Sequence, residues 1–90
     1  MAATRSEVYK SLDGERAYQD MLWNSETTTS KGLHSLEEWV VYMQSYLSQA
    51  IEQLARNPKQ TADPLALDTI RKITAMGVAC MEQHGAPWRK

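Results

Sequence analysis

DPLALDTIRKITAMGVACMEQHGAP, residues 63–87, is the stretch that decides the fold. Asp63 is a suitable helix N-cap because its carboxylate can accept the free backbone N–H groups of the first turn. Pro64 would then stand at the first helical position, where a missing N–H does no harm. Gly85 marks the stop, since glycine can adopt the left-handed cap conformation, and a proline follows two residues later. These signals predict one helix over 64–84.

The middle of this helix, Ile73–Met81, is apolar on nearly all sides. A single neighbouring helix cannot cover such a surface, so the pattern predicts that the last helix is central. Ala75, Gly77 and Ala79 are small residues that let helices approach closely. A chain of 90 residues has few other elements to cover them. We therefore expect a homo-oligomer built on the last helix.

A second helix is predicted over 36–56. Ser35 and Glu38 have the spacing of a capping box, and Asn57-Pro58 ends the helix because asparagine tolerates the left-handed conformation and proline stops propagation. Apolar residues follow at alternating spacings of four and three, which is typical of an a/d seam; they are Leu36, Val40, Met43, Leu47, Ala50 and Leu54, with Trp39, Tyr46 and Ile51 beside them. Two long helices joined by a loop of about six residues should pack as an antiparallel hairpin.

The first helix is predicted over 5–23, because Thr4 and Glu7 have capping-box spacing. Asp13 and Gly14 interrupt it, which favours either a kink or two short helices. We therefore predict one all-α domain over 1–90, with a short or kinked N-terminal helix laid across a long antiparallel helical hairpin.

Composition limits the possible partners and the location. The net charge is −1, so nothing electrostatic favours DNA or an anionic membrane. No segment is long and apolar enough to span a membrane, and the first ten residues contain no apolar signal region, so we expect a cytoplasmic protein. Cys80, the single cysteine, has no partner for a disulfide or a metal pair and is expected to be a buried, inert thiol.

The longest irregular stretch, Asn24–His34, is rich in hydroxyl groups and also carries Lys31. Such a loop is suited to a phosphate or a nucleotide, with a solvated connector as the alternative. Arg71 and Lys72 could add phosphate contacts, or simply form a solvated face, and an aromatic side chain could stack on a base. The predicted ligand-binding residues are Tyr18, Trp23, Thr28, Lys31, His34, Arg71 and Lys72.

Catalytic constellations are missing from the sequence. The two histidines lie in different regions without metal-ligand spacing, and no glycine-rich phosphate loop or nucleophile elbow is present. Glu37 and Glu38 fall in the first turn of a helix, where the helix dipole explains them. We expect no catalytic residue, no metal and no cofactor.

Two stretches carry a resemblance to a known family: Glu15–Trp23, with His34 opening the next helix, and Ala75–Gly85. They resemble small phage and prophage proteins related to the MazG-like, all-helical nucleotide pyrophosphohydrolases. That family holds Mg²⁺ through Glu-x-x-Glu on one helix and Glu-x-x-Asp on the next. The corresponding stretches here are 44–48 and 69–72, which read Gln-Ser-Tyr-Leu-Ser and Thr-Ile-Arg-Lys. The resemblance therefore implies the fold without the metal-dependent hydrolase activity.

A second resemblance, in size and helix layout, is to the phage anti-CBASS sponges, which assemble and sequester cyclic nucleotides. Together these features favour a non-catalytic phage-type binding protein in the host bacterial cytoplasm. It would either sequester a nucleotide signal of host anti-phage defence or inhibit a host protein. The alternative is a divergent Mg²⁺-dependent nucleoside triphosphate pyrophosphohydrolase, which would have to recruit Glu38, Glu52, Asp68 and Glu82 as ligands.

Overall fold

The computed structural model describes residues 2–23 and 32–90, and in those residues the chain is helical without any strand. Three α-helices follow one another: α1 is Arg5–Leu22, α2 is Leu36–Arg56 and α3 is Lys59–His84. The predicted all-α class is therefore confirmed. None of these three helices combines the length and the apolar character that crossing a membrane requires.

Both predicted capping boxes are present. The Thr4 hydroxyl accepts the Glu7 backbone N–H at 3.2 Å, and the Glu7 carboxylate accepts the Thr4 N–H at 3.4 Å. At the start of α2 the reciprocal bonds between Ser35 and Glu38 measure 3.1 and 2.9 Å. The hydrogen bond from the Ser35 backbone lowers the pKa of Glu38, because it stabilises the ionised carboxylate. These local bonds fix the starts of α1 and α2 where the sequence predicts them.

α1 continues without a break through Asp13 and Gly14, so the alternative of two short helices is wrong. Gly14 is exposed, and a Cβ built there would meet no atom within 4 Å, so nothing in the tertiary structure requires glycine at this position. The intrinsic penalty of one glycine, about 1 kcal/mol, is too small to interrupt a capped helix that packs on a neighbour. The last turn ends at Leu22, where the backbone N–H of Trp23 still donates to the carbonyl of Gln19 at 2.8 Å.

The start of α3 differs from the prediction. The helix begins at Lys59, so Asp63 is not its N-cap and Pro64 lies inside it. Pro58 takes the cap position, and its carbonyl accepts the backbone N–H of Ala62 at 2.8 Å. Ala62 is only 2% exposed, so the added turn contributes to the packed interior. Pro64 forfeits one backbone bond near the helix start, a cost that this packing offsets.

α2 and α3 end at Arg56 and His84, where the sequence predicts their ends. The reason at Asn57 differs from the expected one, because its backbone is extended, with φ −119° and ψ 152°. Proline at position 58 disfavours the helical conformation for the residue before it, which is sufficient to end α2. Gly85 has φ 123°, a value that favours glycine, and its N–H closes the last turn on the Met81 carbonyl at 2.8 Å.

α3 is the helix on which the other two pack. Trp39, near the start of α2, bonds to Gln83 near the end of α3, while Gln53 accepts the Thr69 hydroxyl at 3.0 Å. Residues further along α2 thus contact residues nearer the start of α3, so the two helices run in opposite directions. The core cluster consists of Trp39, Met76 and Ala79, surrounded by the partly buried side chains of Trp23, Met43, Tyr46 and Cys80. Cys80 is therefore half-buried at the edge of the core, rather than fully buried as expected.

The face of α2 that packs on α3 is displaced from the predicted seam. Trp39 and Ala50 are buried and Met43, Tyr46 and Gln53 are half-buried, again at spacings of four and three. Most of the predicted seam remains exposed, together with Ile51 beside it. We call this exposed set the outer stripe; it comprises Leu36, Val40, Leu47, Ile51 and Leu54. Trp39 explains the displacement, since it is the largest fully buried side chain and its indole N–H has a partner on α3.

The contact between α1 and α3 combines ion pairs with an apolar groove that Val8 and Leu12 line together with Leu67 and Ile70. Among the residues that the structure describes, Gln19 is the only one of α1 that is buried. Arg16 donates to the carboxylate of Glu82 on α3 at 2.7 Å. Ala75 and Ala79 are 0% and 2% exposed within the single chain. These two small residues, which were expected in an oligomer interface, are thus already covered within one protomer. They do not support oligomerisation through the last helix, which stays a prediction.

Candidate functional site

Gln83 connects the end of α3 to the segment that enters α2. Its side-chain oxygen accepts the indole N–H of Trp39 at 2.9 Å and the backbone N–H of His34 at 3.1 Å, and its amide nitrogen donates to the Gly32 carbonyl at 2.8 Å. Trp39 is 1% exposed, so water does not replace this partner. Gln83 therefore positions the aromatic side chains at this end of the molecule, a role that nothing in the sequence indicated.

His34 and His84 reinforce the same connection. The carbonyl oxygen of His34 lies 2.7 Å from His84 Nε2, and because a carbonyl only accepts, Nε2 carries the proton. The His34 ring makes edge-to-face contacts with Trp39 and Tyr42, with both centroid distances 5.0 Å. Aromatic pairs favour this arrangement because the positive edge of one ring meets the negative face of the other.

The first aromatic cavity lies where α1 meets the other two helices. Its volume is about 230 Å³, and Tyr18, Trp23, Tyr46 and Lys72 are among its lining residues. Lys72, whose ammonium group lies 3.4 Å from Asp68, and Glu15, whose carboxylate accepts Arg71 Nε at 2.9 Å, also line it. The remaining lining residues are Gln19, Leu22 and Met76. Three predicted ligand-binding residues, Tyr18, Trp23 and Lys72, thus share one concave site, although they come from two different helices and a helix end.

The second aromatic cavity adjoins the first and shares Trp23, Tyr46 and Met76 with it. Its volume is about 280 Å³, and His34 is a further lining residue together with Trp39 and Tyr42. Trp23 lies edge-on to Trp39, with centroids 6.4 Å apart. His34, a fourth predicted ligand-binding residue, therefore stands on the far side of the shared aromatic wall from Lys72.

Arg71 lines neither aromatic cavity, although the Glu15 carboxylate that it binds belongs to a lining residue of the first. Its Nε donates to the Glu15 carboxylate at 2.9 Å, a second nitrogen of the guanidinium bonds to Asp68, and the side chain lines a separate, mostly apolar groove between α1 and α3. The hydrogen bond to Glu15 raises the pKa of Arg71. Lys72 is also near Asp68, at 3.4 Å, but its side chain is 42% exposed. Of the two predicted phosphate partners, the structure places only Lys72 at the first aromatic cavity.

The acidic residues named for a divergent hydrolase are dispersed among separate interactions. Glu38 caps α2, Glu52 pairs with Arg56 on its own helix, Asp68 pairs with the basic residues of α3, and Glu82 pairs with Arg16. Within residues 2–23 and 32–90, no group of three or more His, Cys, Asp or Glu side chains could hold a metal ion.

Two predicted site residues, Thr28 and Lys31, lie outside the described residues. The structure adds Glu15 and Tyr46 to the cavity lining. Tyr46 carried a signal in the sequence, because it widens the apolar stripe of α2. Glu15 did not, since its ion pair joins residues that are 56 positions apart in the chain.

Comparisons of the chain with protein-family models, with curated proteins and with solved structures found no match. The class that the fold and the site define is therefore a structural one: within residues 2–23 and 32–90, three helices with an aromatic cavity on the central one. The resemblances to MazG-like pyrophosphohydrolases and to anti-CBASS sponges rest on the sequence features described above and stay predictions.

Proposed function

We propose that this chain is a non-catalytic binding protein that binds a nucleotide, with the base of the nucleotide in the first aromatic cavity. The observation that supports this most directly is the convergence of Tyr18, Trp23 and Lys72 on that cavity. Tyrosine and tryptophan offer flat faces on which a base can stack, and lysine is a common phosphate partner.

The size of the cavity favours one ring system over a whole nucleotide. A volume of about 230 Å³ is below the 300–1,000 Å³ typical of pockets that enclose a drug-sized ligand. A base would occupy the cavity, while the sugar and phosphate would extend to its rim at Lys72.

The arrangement of the acids supports a non-catalytic role. A Mg²⁺-dependent pyrophosphohydrolase needs several oxygen ligands converging on one point. Glu38, Glu52, Asp68 and Glu82 instead serve four separate caps and ion pairs. In a phage-infected bacterial cytoplasm, a protein of this kind would act by sequestering a nucleotide signal of host defence.

The test is calorimetric titration of the protein with a panel of linear and cyclic nucleotides. For any nucleotide that binds, Tyr18→Ala should weaken affinity about fivefold to a hundredfold, because a base–aromatic stack contributes about 1–3 kcal/mol. Tyr9→Ala is the matched control, since Tyr9 is a similarly exposed tyrosine of α1 that is not part of the cavity lining. A flat response of the wild type across the panel would refute the proposal, as would equal losses in the two variants.

A further inference from the structure

The outer stripe of α2 has no covering partner within the described residues. Its side chains are between 41% and 59% exposed. At 100° per residue they occupy a band about 60° wide along the helix, and α1 packs mainly on α3 rather than on α2. No charged residue occurs between Glu38 and Glu52, so the exposed surface of α2 lacks the charges that normally solvate a helix.

The apolar surface continues from α2 onto α3. Met43 sits beside the outer stripe, and its terminal methyl group would lie 3.6 Å from a Cβ built at Gly77. Ile70 and Met81 are seven residues before and four residues after Gly77, so they share its side of α3, and they are 44% and 46% exposed. Ile70 also lines the groove between α1 and α3. The result is one apolar face formed by two helices.

The surface area of the whole chain leaves room for a second copy on this face. The chain exposes 7099 Å². A compact monomer of 10.2 kDa is expected to expose about 5,300 Å², so the excess is about 1,800 Å². The Cα radius of gyration, 14.4 Å, also exceeds the value of about 12 Å expected for a compact domain of this length. A stable dimer buries about 800 Å² on each partner, and obligate dimers bury more, so the excess is sufficient for a second copy.

We propose that the outer stripe, with Ile70 and Met81, is the interface of a symmetric homodimer. In this dimer the outer stripe of one α2 packs against the outer stripe of the partner's α2. Such a contact is closed by a two-fold axis, the symmetry most common among oligomers. Leu47 lies near the middle of the stripe, so the two-fold axis passes near it. Antiparallel α2 helices then place Val40 opposite the partner's Leu54.

Adjacent valines provide a matched test. Val40 belongs to the outer stripe and Val41 does not, although they are 59% and 64% exposed. Sedimentation equilibrium of the wild type should give twice the mass of one chain at micromolar concentration. Val40→Glu should raise the dimer dissociation constant at least about a hundredfold, because it buries an unpaired charge in the interface, whereas Val41→Glu should leave it within about threefold.

A second variant keeps the test valid if Val40→Glu does not fold. Leu47→Cys in a Cys80→Ser background should form an intermolecular disulfide under mild oxidation of the folded protein, and Val41→Cys in the same background should not. A monomeric wild type, equal effects of the two valine substitutions, or cross-linking that is no faster at position 47 than at position 41 would each overturn the proposal. Binding of another protein to a monomeric chain would also overturn it.

Discussion

Replacing Gln83 with alanine should destabilise the protein by about 3 kcal/mol. The substitution removes three hydrogen bonds, to Trp39, His34 and Gly32, at 2.9, 3.1 and 2.8 Å. Each bond contributes about 1 kcal/mol net, and the indole N–H of Trp39 would lose its partner in a site that is 1% exposed. For a domain of this size, such a loss lowers the melting temperature by about 12–20 °C.

Urea unfolding followed by far-ultraviolet circular dichroism measures this loss directly. Gln49→Ala is the matched control, because Gln49 is an exposed glutamine of α2, and its free energy of unfolding should stay within about 0.5 kcal/mol of the wild type. Trp39→Phe separates the contributions further, since it removes the indole N–H and leaves the bonds from Gln83 to His34 and Gly32 in place.

The reasoning would be refuted if Gln83→Ala and Gln49→Ala unfolded at the same urea concentration with the same slope. A lower slope without a lower midpoint would also contradict it, because that result indicates a change in the compactness of one state rather than the loss of native bonds.

Gly32→Ala should lower the free energy of unfolding by about 1–3 kcal/mol, because Gly32 has φ 76° and a Cβ there would come within 2.5 Å of the Trp23 carbonyl oxygen. Gly14→Ala should raise it by about 0.5–1 kcal/mol, because a Cβ at that exposed helical position meets no atom within 4 Å. Chemical denaturation measures both changes. The hydrogen bond from Arg71 lowers the pKa of Asp68 in the folded state, so its stabilising contribution is present above the unfolded pKa and is lost as the pH falls through the folded one. Stability should thus decline below about pH 4, and Asp68→Asn should make the decline shallower in thermal melts across a pH series. If a nucleotide binds, Lys31→Ala should weaken its affinity at least about tenfold while leaving the melt of the free protein unchanged, which titration and calorimetry check.

Signals that depend on residues three or four positions apart predicted the structure well. The capping boxes at Thr4 and Ser35 form as expected, because donor and acceptor lie within one turn and need no tertiary partner. The predicted start of α3 was wrong because it relied on such a local signal alone. Asp63 offers a local start signal, but the burial of Ala62, a tertiary effect, favours a helix that begins earlier, at Lys59.

The face of α2 could not be chosen from the sequence. Two stripes with the same alternating spacing share Met43 and Ala50, and either satisfies the pattern for a packed helix. The indole N–H of Trp39 and its acceptor on Gln83 select the observed stripe, and that acceptor is 44 residues away in the chain. The same distance in sequence explains why Arg71 was predicted as a phosphate partner, since its ion pair with Glu15 has no local signature.

The ion pairs between α1 and α3 affect which helix unfolds locally first. The core cluster consists of α2 and α3 residues, whereas α1 has one buried residue and is held partly by ion pairs such as Arg16 with Glu82, which salt weakens. Amide hydrogens of α1 should therefore exchange through a local opening of lower free energy than those of α3, and faster still at high ionic strength. Tyr18 would leave the wall of the first aromatic cavity in that opening. A ligand that occupies the cavity must then slow exchange in α1, which links the occupancy of the site to the dynamics of one helix.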